Sequence, residues 1–510
     1  MKINCYKYFN TTTYKKAWLL LALLPAISCS KLIEIDAPIN SVGTEKVFQT
    51  DAKAEAALAA LYTTMINTTE FNTLCYGGIS LTGSLLSDEV RPSMGTLDVV
   101  YNPFQFNKVL KENEALMLLW KDGYKYIYIA NTLLEGIAAS ASPTLSESTR
   151  RQIRGEALLI RSWTHFQLMN LFGPIPLVLT SDVNQTRAME RSKPEAVYLQ
   201  LEADLKEAYE LLQPDFRVTG GQRIRPSRDA ATGLLARMYL YQNRWAEAEA
   251  EATKLISNGA YVLEPLNKTF RGSSLEPVWQ LKRTDYGVND IKLMESINFM
   301  PKLRFSVVPD APYMWKDKSM YEIMGLEVGF LVPAYPVSEE LMAAFEPNDN
   351  RKTKWLDSIP QPDEAPYNGK TLYCMTKYEN EFNLTEKADL HLAMQRIAEI
   401  YLIRAEARAQ QATDLTGAAQ DLDAVRGRAG LLPTTASTQT ALLDAIARER
   451  RVELFGEWGH RWFDLKRTGK AAAMAGTHPE KLPWSNDKLV LPIPIKEVEI
   501  NPSLGQNPGY

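Results

Sequence analysis

The sequence predicts a mostly α fold of stacked helical hairpins, with a loop-rich subdomain inserted between hairpins. Three observations predict it. Long segments carry apolar residues at helical spacing, two alanine-rich pairs of such segments lie near residues 228–257 and 395–428, and a proline-dense stretch separates the pairs.

The N-terminus reads as an export signal. Lys2, Lys7, Lys15 and Lys16 precede the apolar run 17–24 and the small-residue run Ala26-Ile27-Ser28. That apolar run falls well short of the ~20 residues a spanning helix needs, so residues 1–28 are expected to be removed. Cys29 follows directly, and the pattern resembles the lipobox of bacterial lipoproteins, which implies that Cys29 is acylated and becomes the mature N-terminus. An ordinary signal with a chance cysteine is the alternative. Residues 29–50 are polar and turn-rich, as suits a tether.

Residues 51–260 are expected to form an N-terminal helical scaffold. Asp51 is placed to cap a first helix over 52–65, where Leu58, Leu61, Tyr62 and Met65 recur at helical spacing. Longer helices are expected over 113–139 and 146–172, the second stopped by Gly173-Pro174. Helices over 194–212, 228–242 and 245–257 follow, the last two paired across a turn at Asn243. The small residues Ala246, Ala248, Ala250 and Ala252 opposite Met238, Tyr239 and Leu240 resemble a tetratricopeptide-like repeat. A comparable pair at 395–410 and 415–428 opens the C-terminal part, residues 391–510. Because the pairs lie far apart in sequence, the solenoid must be interrupted.

The interruption, residues 261–390, contains eleven prolines from Pro265 to Pro366, which excludes long helices and favours loops, short helices and short strands. A second irregular block spans 71–105. Long irregular stretches in a compact chain are commonly functional, and aromatic content argues that these are ordered.

A net charge of −4 and a pI near 5.9 argue against nucleic acid. Besides Cys29, the chain after the signal has only Cys75 and Cys374, which offer no disulfide framework or thiolate metal site, though a single bridge between them stays open. GxSxG, HExxH, GxxxxGK[ST] and CxxC are absent, and the histidines, His165, His391, His460 and His478, are scattered. No cofactor, metal site or catalytic residue is therefore assigned. Carboxylate pairs for glycoside hydrolysis stay open, since any two of 61 acidic residues might converge.

The most informative stretch runs from Glu449 to Gly469, Glu-Arg-Arg-Val-Glu-Leu-Phe-Gly-Glu-Trp-Gly-His-Arg-Trp-Phe-Asp-Leu-Lys-Arg-Thr-Gly. It resembles the C-terminal signature of the SusD/RagB family of nutrient-binding lipoproteins. Three further blocks resemble the same family: Gly155-Glu156-Ala157 through Trp163 to Phe172-Gly173-Pro174-Ile175-Pro176, then Tyr401-Leu402-Ile403-Arg404-Ala405-Glu406-Ala407, and Leu491-Pro492-Ile493-Pro494 with the closing Asn507-Pro508-Gly509-Tyr510. In one departure, Ser30-Lys31-Leu32-Ile33 precede Glu34 and Asp36, where surface lipoproteins often place acidic residues at once. The resemblance implies a lipid-anchored protein of the outer membrane, facing the exterior, that binds glycans and sits as a lid over a TonB-dependent, SusC-like transporter. Some relatives bind peptides instead.

The charged signature tempts a catalytic reading of Glu449, Glu453 and Asp464, yet Glu449 and Glu453 share a helical face and ion pairs that lock helices are the stronger expectation. Trp163, Trp245, Trp458 and Trp462 lie in periodic segments and are expected in the core. The aromatics of the irregular blocks are the expected ligand surface, because a sugar offers a C–H face that stacks on a ring. Tyr76, Tyr101, Phe104, Trp279, Tyr313 and Trp315 are assigned to ligand binding, with polar contacts from Asn102, Asn107, Arg283, Asp285, Asn289 and Arg304.

Overall fold

A computed structural model of the chain describes residues 44–68, 70–93, 98–284, 293–299, 301–303, 331–360, 369–378 and 390–510. The signal, Cys29, Tyr313, Trp315, Asp285, Asn289 and Arg304 lie outside these residues. Among the described residues no helix is long and apolar enough to cross a membrane.

Helix α1 (Asp51–Ile66) is capped by Thr50, whose hydroxyl accepts from Lys53 N–H at 3.4 Å, and not by Asp51. Asp51 instead accepts from the Ser146 N–H and hydroxyl at 2.7 and 2.8 Å, tying α1 to the next pair of helices. After α2 (Gly78–Leu86) come α3 (Glu114–Ala139), capped by Asn113, and α4 (Glu147–Phe172), capped by Ser146. Both caps satisfy N–H groups that a helix start leaves open.

Helices α5 (Pro194–Leu211), α6 (Arg228–Tyr241) and α7 (Trp245–Ile256) extend the stack, each packing on its predecessor. The turn between α6 and α7 is made by Asn243 in the left-handed region, φ 59°. Of the four alanines on α7, Ala248 and Ala252, one turn apart, are buried, while Ala246 and Ala250 face outward. Small residues at that spacing let neighbouring helices approach closely.

The chain then leaves the stack through β1 (Pro277–Leu281) and returns through β6 (Leu392–Arg396), two antiparallel strands that staple the base of the intervening segment. Between them lie α8 (Met294–Phe299), the paired strands β2 (Pro301–Leu303) and β3 (Leu331–Pro333), and the paired strands β4 (Leu356–Pro360) and β5 (Thr371–Met375). Helices α9 (Ile397–Gln411), α10 (Leu415–Arg428), α11 (Gln439–Leu454) and α12 (His460–Arg467) follow, and two short helices, Ala471–Gly476 and Ile495–Ile500, come after them.

Although interrupted in sequence, the solenoid is continuous in space, because α7 packs directly on α9. Arg408 Nε bonds Glu249 at 2.8 Å across that seam, and Arg237 grips Glu399 through two bonds of 2.7 and 2.6 Å between α6 and α9. Cys75 and Cys374 are both buried, and no disulfide joins them.

Candidate functional site

Two regions carry enough chemistry to be considered. The first is the charged signature. Arg396 ends β6 and donates to Glu276 at 2.5 Å, Glu453 at 2.8 Å and Glu457 at 2.8 Å. Glu453 also accepts from Arg351 at 3.0 Å and Arg428 at 2.5 Å. Lys377 donates to Glu457 and to the Glu453 and Phe455 carbonyls, each at 2.8 Å, with its ammonium 3.7 Å from the centre of the Phe455 ring.

Burial alone would raise the Glu453 carboxyl, but Arg428, Arg396 and Arg351 hold it well below the ordinary range. These groups are almost fully enclosed and pair with one another, which leaves them no face for a substrate. The ion-pair expectation for this block stands, with Arg461 pairing with Asp88 at 2.8 Å and not with Glu457. His165 and His460 are likewise buried, and burial pushes their imidazoles down to about 3 and about 4.

The second region is the irregular block between α1 and α3. Asp98 organises it: one carboxylate oxygen accepts from the Tyr101 N–H at 2.9 Å, and the other from the Tyr335 hydroxyl at 3.0 Å. Tyr335 stands edge-on to Tyr101, with ring centres 6.1 Å apart, and Phe104 lies 6.2 Å away on the same short helix, Asn102–Gln105. Asn113, the cap of α3, donates to Val100 O at 2.7 Å and so fixes this turn to the scaffold.

From the other side comes Asn72, in the left-handed region at φ 55°, whose side chain lies beside the Tyr101 hydroxyl. The Asn72 amide oxygen accepts from Asn298 on α8 at 2.6 Å. Burial pushes the Tyr101 phenol up to about 12, so the hydroxyl stays protonated over the physiological range.

Close packing brings α8 to this place. A Cβ on Gly77, φ 83°, would lie 2.6 Å from Met294 Cγ and 2.9 Å from Asn298 Nδ2, so only glycine lets α8 approach the backbone here. Asn67 and Thr284 exchange two 2.9 Å hydrogen bonds and anchor the chain after β1 to the end of α1. Phe71, beside Asn72, is 59% exposed, and Val99, beside Asp98, is 76% exposed.

The six aromatics assigned from the sequence divide. Tyr101 is half-buried within the network just described. Phe104 is 0% exposed and Tyr76 is 1% exposed, the latter covered by the Arg283 guanidinium 4.8 Å from its ring centre. Both are packed beneath this region and present no ring to solvent. Trp279 is 3% exposed in β1, where it faces Leu159, Trp163 and Leu234 in the scaffold core, away from Tyr101. Tyr313 and Trp315 lie outside the described residues.

Of the polar candidates, Asn102 and Asn107 are buried, and Asn107 donates to Leu86 O at 3.2 Å as part of the packing. Phe71, Asn72, Asp98, Tyr335 and Asn298, which meet in this region, are not among the residues assigned to ligand binding from the sequence. For Phe71 a signal existed: it is a lone aromatic in the polar run Thr68-Thr69-Glu70-Phe71-Asn72-Thr73, with no helical or strand periodicity to bury it.

Comparison with known proteins places this architecture. Residues 44–240 match a family model described as starch-binding associating with outer membrane, and residues 343–510 match that of the SusD family. The chain belongs to the SusD/RagB family, whose members are binding proteins without catalytic activity. A SusD-like protein, P2, of Formosa agariphila is 26% identical over 98% of this chain and 99% of its own length. A solved laminarin-binding SusD-like protein is 25% identical, covers 91% of this chain and 100% of its own, and superposes with a TM-score of 0.70. Surface glycan-binding protein A of Bacteroides fluxus, 20% identical, shares the fold over 90% of this chain and all of its own, with a TM-score of 0.71.

Proposed function

We propose that this protein is a glycan receptor of the outer-membrane surface, held there by acylated Cys29, which captures oligosaccharides and passes them to a TonB-dependent transporter. One observation carries the binding part: an open ring, Phe71, stands beside a rigid network of amide, carboxylate and phenol groups, Asn72, Asp98, Tyr101 and Tyr335, held by two separate parts of the chain. A sugar is matched by that pairing, since its C–H face stacks on a ring while its hydroxyls exchange hydrogen bonds with fixed polar groups.

The family's description as starch-binding and the laminarin-binding relative support a glucan as ligand. Tyr313 and Trp315 belong to the same proposal as further ring faces. Tyr76, Phe104 and Trp279 act beneath the surface in it, by holding the framework.

Affinity electrophoresis through gels containing laminarin or starch tests this reading. The wild-type chain should be retarded by at least one of them and leave the polysaccharide unshortened after prolonged incubation. Equal mobility in every glucan gel, with retention on a peptide matrix instead, would replace the ligand class. Extraction from native membranes in mild detergent should bring the protein out together with a large β-barrel, and repeated recovery of the protein alone would remove the transporter from the proposal.

A further inference from the structure

Lys481 stands far along the chain from the Phe71–Tyr101 region, yet its side chain reaches into the framework of that region. It is 1% exposed, and its ammonium donates to Gln105 O at 2.6 Å, Asn107 Oδ1 at 2.8 Å, Leu86 O at 3.1 Å and Leu85 O at 3.4 Å. All four acceptors are neutral. The carboxylates nearest in the surrounding structure are engaged elsewhere, Asp88 by Arg451 and Arg461 and Glu480 by Arg91. A buried ammonium with no carboxylate against it is unfavourable, and burial pulls this one down to about 7 from an ordinary 10.5. Its acceptors show what the ammonium holds.

Gln105 closes the four-residue helix Asn102–Gln105, at whose start Tyr101 stands. One turn of helix is not stable by itself, because it fixes several backbone angles for a single hydrogen bond, so its place is set by what grips its two ends. Asp98 grips the start through the Tyr101 N–H. At the other end the last carbonyls point onward and need partners. Phe104 O accepts from the Asn107 N–H at 3.1 Å, Pro103 O accepts from the Lys108 N–H at 3.0 Å, and Gln105 O takes the Lys481 ammonium. A cation there also meets the negative end of the peptide dipoles. Asn107, in the left-handed region at φ 50°, doubles the grip: its oxygen takes the ammonium while its amide donates to Leu86 O. Leu85 and Leu86 end α2, so a single ammonium ties the turn behind Tyr101 to the scaffold.

Lys481 is itself fixed. It ends the turn Pro479–Lys481, where its N–H donates to His478 O at 2.9 Å. Arg91 joins the neighbouring Glu480 at 3.0 Å to Glu340 at 2.7 Å, and Lys108 donates to Glu480 O at 3.3 Å. We infer that Lys481 is a positioning residue for glycan capture, its ammonium closing the far end of the Asn102–Gln105 turn and so fixing Tyr101, a role that rests on the Phe71–Tyr101 region being the glycan site. The buried ammonium meets no ligand itself and acts through Gln105 and Asn107.

Two measurements on the full chain test this at pH 6, where the ammonium is charged: calorimetric titration of laminarin oligosaccharides, and hydrogen exchange of the 101–108 amides without ligand. Lys481→Ala should speed exchange across 101–108 and bind about fivefold more weakly than wild type, as expected when one ring contact is no longer held in place. Because the lysine acts through Tyr101, the double variant Lys481→Ala/Tyr101→Ala should bind no more weakly than Tyr101→Ala alone. Lys481→Met, which fills the same space without donors, takes the same cycle where Lys481→Ala folds poorly. A folded Lys481 variant that binds as wild type, unchanged exchange over 101–108, or losses that add in the double variant would each overturn the positioning role. Tyr101→Ala binding as tightly as wild type would overturn the glycan reading of the region and this role with it. That failure is told apart from failure of the lysine alone by the exchange at 101–108, which needs no ligand.

Discussion

The charged signature at 449–469 and the irregular block at 67–107 make opposite use of polar chemistry. In the signature, Arg396, Arg428, Arg351 and Lys377 are enclosed with Glu276, Glu453 and Glu457, and each charge is used up by its neighbours. In the irregular block, Asp98 and Asn72 fix Tyr101 from two sides and leave Phe71 open. Density of charged residues therefore marks where the two parts of the chain are locked together. The place proposed to meet a ligand is marked by an aromatic, Phe71, that is 59% exposed.

The largest expected effect sharpens the first half of that contrast. Arg396→Ala removes one cationic partner from each of three buried carboxylates, and breaking even one buried pair costs about 3–5 kcal/mol. The variant should lose its cooperative melting transition or aggregate on expression. A soluble Arg396→Ala chain melting within a few degrees of wild type would mean that the ionic core is not what locks the fold.

Next comes Glu295, a buried carboxyl near the irregular block that has no cation beside it among the described residues, in contrast to Glu453. Burial pushes it up to about 7 from an ordinary 4.5. Between those values the folded chain keeps the proton and the unfolded chain has lost it, so stability falls as pH rises from about 4.5 to about 7, by about 3 kcal/mol. Above about 7 both states are ionised and the loss is complete. Glu295→Gln removes this titration, so its melting temperature relative to wild type should improve steadily across that window and then level off. A difference independent of pH would show that Glu295 ionises without cost.

Smaller still is the seam between the regions. Gly83 on α2 faces Gly459 at the start of α12, and a Cβ on Gly83 would sit 2.4 Å from Gly459 Cα. Gly83→Ala should cost about 1–3 kcal/mol, read as a lowered denaturant midpoint. No change in that midpoint would mean that the two backbones separate freely.

Much of the scaffold was legible because its signals are local. The helix starts near 113 and 146, the stop at Gly173-Pro174 and the turn at Asn243 each follow from one or two residues and their neighbours. Where two local signals compete the reading slips: Thr50 and Asp51 are both good caps, and Asp51 is taken by Ser146 across the fold. The site was harder. An aromatic in an irregular block is as readily folded under its loop as over it, and contacts distant in sequence decide which. Arg283 covers Tyr76, and β6 and α6 enclose Trp279, neither of which periodicity foretells. Trp245 shows the converse, a ring at helical spacing left half-open because α7 begins at the edge of a cavity.

The account rests on the irregular block being where glycan is held, and calorimetric titration of laminarin oligosaccharides into Phe71→Ala/Tyr101→Ala tests that most directly. Two lost ring contacts at about 0.5–1.5 kcal/mol each should weaken binding about tenfold or more, in a chain that still melts in one cooperative transition. Wild-type affinity retained in the double variant, in a chain that demonstrably binds laminarin, would contradict the account and move the ligand elsewhere on the molecule.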